Sequence, residues 1–436
     1  MRIPRLAVLA LAAATLLAAA PPDPTAAKKA GLDPDRLALI PARVKTFVEQ
    51  GTIAGAVTLV ARRGVMAGFE AMGYQDLEKR KPMRTDTIFQ IMSMTKPVTG
   101  VGILLLMEEG RLALGDPVEK YLPQFRGLWV ISTQDGDKSR TLRRPPRPIT
   151  IRDLLTHTSG MAPVPPDSIK ELLQKFDLTL AEAVAIYSQQ PLEFDPGARW
   201  RYSNPGIAVL GRIIEVVSGQ PYERFLEERI LMPLGMKDSF FFPPADKLDR
   251  IAMVYKLADG KLQKAGPETL AGDPWIFRKG AKYPCPECGM YATASDYAAF
   301  LQMMLNGGTL NGRRLLSPAS VEIMTALHTG DLIAGHSPGM GYGLSWAVVR
   351  EPLGTLNLQS VGTFGHGGAF GTEGWVDPTD LPPAGERGFP GMCLGGFELA
   401  ARRADGLLST ALLLGQAHAE GLEDFLLAGI GFRQAG

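Results

Sequence analysis

Hydrophobic positions along the chain fall into two rhythms. Leu37, Ile40, Val44, Phe47 and Val48 recur at helical spacing within Asp35–Gln50, and Gly51 closes the run. Ile53–Ala61 and Val65–Met72 are instead nearly continuous apolar and small residues, broken at Arg63-Gly64, which is the pattern of a β-hairpin. Thr85-Asp86-Thr87 precedes the next apolar run, and Ser93–Glu109 is apolar on almost every side, which predicts a buried helix closed by Gly110. Ile151–Leu155 starts a helix, and Ile207, Leu210, Ile213, Ile214 and Val217 mark another, ended by Gly219 and Pro221. Asp296–Asn306 predicts a further helix, whereas Gly341–Val349 and Gly371–Val376 read as strands. Trp129–Arg147 is polar and rich in Pro and Arg, so a surface loop is expected. Strands, a long helical middle and strands again imply two outer pieces that share one sheet. The expected fold class is α/β (α+β): an antiparallel sheet flanked by helices with a large, mainly helical inserted subdomain. Residues 28–100 plus 330–436 would form the sheet domain and residues 101–329 the helical subdomain.

The first residues follow neither rhythm. Met1–Arg5 carries two arginines, and Leu6–Ala20 is apolar or small throughout apart from Thr15. Fifteen such residues are short for a bilayer span, and the pattern is that of a secretory signal peptide. Cleavage after Ala18-Ala19-Ala20 and cleavage within Ala26–Lys28 both fit, with Pro21–Lys29 read as a Pro/Ala linker and residues 1–27 as signal and linker. The mature protein is expected to be periplasmic or secreted, with no stable membrane insertion. Composition adds little beyond a folded chain: 45% hydrophobic and 21% charged residues. Forty-six Lys plus Arg against 45 Asp plus Glu give +1, so net charge makes no case for nucleic acid or an anionic membrane. Three cysteines are too few for a disulfide-stapled scaffold.

Three short segments carry candidate chemistry. Ser93-Met94-Thr95-Lys96 is an S-x-x-K, and residues three apart on a helix share a face, so the hydroxyl and the amine can meet. A serine needs a base to become a nucleophile. Burial and the positive end of a helix dipole both lower a lysine's pKa toward that role. The same helix end favours an oxyanion. Tyr202-Ser203-Asn204 stands before a helix. A phenol beside a lysine can serve as general base, and the asparagine can hold the lysine and a substrate carbonyl. Taken alone, that triplet is also an ordinary capping turn. Gly365-His366-Gly367-Gly368-Ala369 leaves room for a substrate against a strand edge, whose N–H could join that of Ser93 as an oxyanion donor.

The three segments, in this order, resemble the serine β-lactamase and penicillin-binding protein superfamily. Class C β-lactamases and family VIII carboxylesterases are the nearest likeness, over about Leu32 to Pro378. Leu112–Pro123, Leu154-Leu155-Thr156-His157-Thr158-Ser159-Gly160, Pro233-Leu234-Gly235-Met236 and Tyr291–Phe300 match further family stretches. The resemblance implies a β-lactamase/transpeptidase-like fold. It makes Ser93 the acyl-forming nucleophile, with Lys96 and Tyr202 sharing its proton; which of the two is the base stays open. Asn204 matches the asparagine of the tyrosine box, and the N–H groups of Ser93 and Ala369 would form the oxyanion hole. His366-Gly367-Gly368 stands where β-lactamases carry Lys-Thr-Gly. Loss of that lysine and hydroxyl weakens an anion site and implies neutral esters over penicillins. The expectation is therefore a serine carboxylesterase with a small-molecule ester substrate, no cofactor, no metal and no nucleic-acid partner. A side activity on β-lactams, a D-alanyl carboxypeptidase, and a non-catalytic binding protein of the same fold are the alternatives. Oligomeric state is not legible.

The tail departs from the family. Trp375-Val376-Asp377-Pro378 leads into the Pro- and Gly-rich Asp380–Pro390, and the next apolar runs are Leu407–Leu414 and the helix-like Leu422–Ile430. Either about 25 residues precede the last strand or the C-terminus is unrelated. Three decoys remain. Gly335-His336-Ser337-Pro338-Gly339 matches a nucleophile elbow, but Pro338 lacks the N–H that such an elbow uses. Cys285-Pro286-Glu287-Cys288 lacks the further ligands of a zinc site and fits a local disulfide or two thiols. His157 is expected to be structural, since a catalytic histidine needs an orienting carboxylate.

Overall fold

A computed structural model describes residues 23–135, 139–169, 177–266, 280–335, 338–352 and 359–380, with the strand backbones of 392–394 and 412–415. The two outer pieces of the chain do share one nine-stranded antiparallel sheet. From one edge it runs Met340–Tyr342, Ala347–Val349, Phe364–Gly368, Thr372–Val376, then Gly55–Arg62, Val65–Asp76 and Lys81–Pro82. Met392–Leu394 and Leu412–Gly415 fill the slot between Thr372–Val376 and Gly55–Arg62.

The central strand Gly55–Arg62 is buried at every position, so both faces must be covered. Its period of two divides the work. Ala56 and Val60 face the N-terminal helices, packing with Val44 and Phe47 and with Leu37 and Ile40 respectively. Val57, Leu59 and Ala61 face the main core beside Tyr297 and Leu301 of the Ala294–Leu305 helix. That helix lies on the sheet although it falls within the inserted stretch of sequence. Arg63 and Gly64, both at positive φ, make the tight turn into Val65–Asp76. The helix Thr95–Glu108 is buried from Thr95 through Leu106 and packs against Asn204–Ser218. Each large aliphatic side chain buried there contributes roughly 1.5–3 kcal/mol.

Several expectations need correction. Pro21–Lys29 is not a plain linker: Pro24–Lys29 is a helix capped by Asp23, with Ala27 and Ala30 packed on Leu32, Leu37 and Val60. Small residues fit there because the helix lies close to the sheet. Trp129–Arg147 contains a surface hairpin, Val130–Asp135 with Ser139–Arg143. Val130, Ile131 and Thr133 are β-formers, Val130 points inward, and the Arg144 guanidinium stacks 3.7 Å over Trp129. Gly341–Val349 divides into two strands around Ser345 at φ +66°. The last strand comes in two collinear pieces. Leu394 opposes Leu59 and Leu413 opposes the adjacent Thr58, so the two pieces share one register. Leu422–Ile430, Ser337 and the signal segment 1–22 lie outside the described residues. No helix among the described residues is long and apolar enough to cross a membrane.

Candidate active site

Ser93 sits on a single 3₁₀ turn, Met92–Met94, two residues ahead of the helix that the sequence began at Ser93 itself. Met92 holds φ +49°, a costly conformation for a side chain of its size, and turns the chain sharply before the serine. The turn is pinned from outside. Ile91 N–H donates to the Met290 carbonyl at 3.1 Å, Met290 N–H to Thr95 Oγ1 at 3.2 Å, and Tyr297 Oη to the Met94 carbonyl at 3.0 Å.

Lys96 is fully buried, and its Nζ lies 2.9 Å from Ser93 Oγ. A second bond goes to the Glu287 carbonyl at 2.8 Å. Burial lowers the ammonium's pKa to about 7, while the Glu287 carboxylate pulls the other way. The same Nζ stands 4.7 Å over the Tyr202 ring. Burial pushes the Tyr202 phenol well above its usual range, and its hydrogen bond with Ser93 offsets part of that. Serine, lysine and tyrosine, from two distant segments, thus meet in one place.

Local structure explains how Tyr202 gets there. Ser203 caps the Asn204–Ser218 helix, accepting the Gly206 N–H at 3.1 Å and donating to the Ala162 carbonyl at 2.7 Å. Its own N–H donates to His157 Nδ1 at 3.1 Å, and the His157 ring lies 4.4 Å from that of Tyr202. His157 is structural, as expected. Asn204 is the first helical residue and donates its N–H to the Pro163 carbonyl at 3.2 Å. Among the described residues its side chain makes no hydrogen bond to Lys96, contrary to the role imagined for it: Lys96 finds the Glu287 carbonyl instead.

His366, Gly367 and Gly368 close the strand Phe364–Gly368, with Ala369 exposed just beyond. His366 is buried, with Nε2 3.0 Å from Tyr342 Oη and Nδ1 2.6 Å from the Gly367 carbonyl. Gly368 meets the serine's turn directly: a Cβ there would overlap the Ile91 carbonyl oxygen and Thr372 Oγ1. Thr372 Oγ1 donates to that same Ile91 carbonyl at 3.1 Å. A small recess of about 10 Å³, room for little more than a water, lies at Pro205 and is lined by Phe125, Leu128, Met161, Val164 and Tyr187 among others.

A family model described as Beta-lactamase matches residues 40–393. The chain belongs to the beta-lactamase family. It is 35% identical over 356 residues to Protein Rv1367c of Mycobacterium tuberculosis, covering 78% of this chain and 86% of that one. It is 31% identical to Esterase EstB of Burkholderia gladioli, covering 80% and 91%. Among solved structures, EstCE1, a hydrolase with promiscuous acyltransferase activity, shares the fold with a TM-score of 0.71 at 24% identity, covering 92% of this chain and 96% of that one. The beta-lactamase-family chain is a hydrolytic enzyme of the serine-hydrolase type.

Sequence reasoning missed Glu287 in this beta-lactamase-family protein. The Cys285-Pro286-Glu287-Cys288 spacing drew attention to its sulfurs and away from the residue between them. Cys285 and Cys288 form a disulfide. Ligand-type atoms of Cys285, Glu287 and Cys288 lie within 4.8 Å of one another, but sulfurs bonded to each other are not thiolate ligands. Tyr342 was missed too, since nothing in its spacing announces a partner for His366.

Proposed function

We propose that the protein hydrolyses small, mainly neutral carboxylic esters through an acyl-enzyme on Ser93, in the manner of a family VIII carboxylesterase. One observation carries the reading: a fully buried lysine amine 2.9 Å from a serine hydroxyl, where burial lowers its pKa. Ser93 Oγ attacks the ester carbonyl as its proton passes to the Lys96 amine, directly or by relay, the Tyr202 phenol taking it and giving its own proton to Lys96. The carbonyl oxygen becomes an oxyanion facing the N–H groups of Ser93 and Ala369. The C–O bond to the alcohol breaks, and the leaving alkoxide takes the proton. Water repeats the cycle on the acyl-serine, releasing the acid.

Two features favour esters over β-lactams. His366 stands where a lysine would meet a drug carboxylate, and both of its ring nitrogens already have partners. The similarity to Esterase EstB points the same way. The test compares a p-nitrophenyl ester of a short acid with a chromogenic cephalosporin. The ester should turn over much faster, and Ser93→Ala should abolish both. Faster cephalosporin hydrolysis would favour a β-lactamase or D-alanyl carboxypeptidase. Labelling by an organophosphonate without turnover of any ester would favour a binding protein.

We also propose export, with cleavage after Ala20. A cut within Ala26–Lys28 would remove the Asp23 cap and open the cluster around Ala27, Ala30 and Val60. The Cys285–Cys288 disulfide suits an oxidising compartment. N-terminal sequencing of the exported protein tests this; a start within residues 27–29 would overturn the Ala20 site.

A further inference from the structure

The turn that carries Glu287 grips the nucleophile's helix at two points. The Glu287 carbonyl accepts from Lys96 Nζ at 2.8 Å, and the Pro286 carbonyl accepts from Thr99 Oγ1 at 2.7 Å. Lys96 and Thr99 are one helical turn apart, on one face. The Cys285–Cys288 disulfide closes this turn, and Cys285 holds φ +52°. The Glu287 side chain runs inward from it and is only 6% exposed. Its oxygens accept from Tyr283 Oη at 2.9 and 3.2 Å. A buried carboxyl costs several kcal/mol unless something compensates it, and an apolar residue would serve a purely structural turn better.

We propose that Glu287 is a positioning residue for Lys96: its carboxyl is the counter-charge that titrates with the lysine as it takes the Ser93 proton. This rests on the reading of Ser93 and Lys96 given above. The groups that feel this carboxylate are Lys96 from the Thr95–Glu108 helix, Tyr202 from the turn before residue 204, Tyr222 beside Thr99, and Tyr187 and Tyr283. The phenols are held neutral by burial, which leaves Lys96 as its charge partner. Burial alone would lower the lysine's basicity further, and it also raises the Glu287 carboxyl to about 7, so the two groups titrate as a pair. An anion on the rigid turn restores part of that basicity without touching Ser93 or the substrate.

Glu287→Gln tests this, since the amide keeps the shape and can still accept from Tyr283. The readout is the pH dependence of Ser93 labelling by a fluorophosphonate, followed by intact mass, beside kcat/KM for p-nitrophenyl butyrate. Removing the anion makes protonated Lys96 less favourable, so the amine is free at lower pH. The acidic limb of the labelling profile should move down by about one pH unit. Tyr283→Phe removes a hydrogen bond that favours the carboxylate and should move the limb the same way by less. An unmoved limb in both variants, whatever the loss of rate, overturns the proposal. A shifted labelling limb with no ester turnover supports Glu287 and sinks the esterase reading instead. Failure of the unmutated protein to label at any pH removes Ser93 as nucleophile, and Glu287's role with it.

Discussion

His157 Nδ1 accepts the Ser203 N–H at 3.1 Å while its ring rests 4.4 Å from the ring of Tyr202. One side chain thus fixes both the backbone beside the phenol and the phenol's plane. His157→Ala should lower kcat for a small ester about 10- to 100-fold, with KM little changed, because small misplacements of a proton-transfer group are costly. His157→Asn keeps an acceptor and tolerates φ +58°, so it should lose less. Steady-state kinetics on both variants, alongside melting curves, checks this. An Ala variant as active as the parent would mean that Tyr202 is oriented by other contacts.

The pH dependence of kcat/KM follows from the lysine. The free amine is the active form, so kcat/KM should rise with pH through about 7. Lys96 and Glu287 titrate together, and the limb belongs to the pair. Tyr202 is pushed upward by burial, so it should add no descending limb below about pH 10. A rate profile flat from pH 5 to 9 (about the range a p-nitrophenyl ester permits) would contradict this.

Gly368 tests the approach of the strand to the serine's turn. A Cβ in Gly368→Ala overlaps the Ile91 carbonyl and Thr372 Oγ1, so the strand end must back away from residues 91–93. If Ala369 supplies an oxyanion donor, kcat should fall by about 10²-fold or more. Gly367→Ala is the control: its Cβ would meet the Glu373 side chain at 3.7 Å, an ordinary contact, so it should cost far less.

Removing the disulfide separates stability from activity. Closing a four-residue loop contributes about 2 kcal/mol by chain entropy, so Cys285→Ala with Cys288→Ala should lower stability by about that amount. Turnover should fall by more than unfolding explains, because the turn also holds Lys96 and Thr99. Denaturant midpoints and kcat at a temperature where both proteins are folded check the two effects. Equal kcat values would show that the turn keeps its shape without the bond.

Legibility in the sequence followed the range of the interactions. The Asp35–Gln50 and Ile207–Val217 patterns report one apolar stripe each, and the helices Pro34–Glu49 and Asn204–Ser218 follow them closely. Ser93 and Lys96 were legible because one helical turn joins them, and Tyr202 because a cap motif follows it. Glu287 acts on Lys96 from 191 residues away, and no local spacing encodes that. The hairpin at Val130–Arg143 was hidden by its many arginines, whose charges say surface but not conformation. Pro24–Lys29 was hidden by small residues, which read as a linker until a sheet lies beneath them.

The strand in two pieces bears on where the family likeness ends. Gly55–Arg62 and Thr372–Val376 each pair with both pieces, Met392–Leu394 and Leu412–Gly415, in one register. The Beta-lactamase match stops at residue 393, within the first piece. Two short pieces, far apart in the numbering, thus fill one strand position between Gly55–Arg62 and Thr372–Val376. The family likeness thus ends inside a strand position rather than at the edge of the sheet.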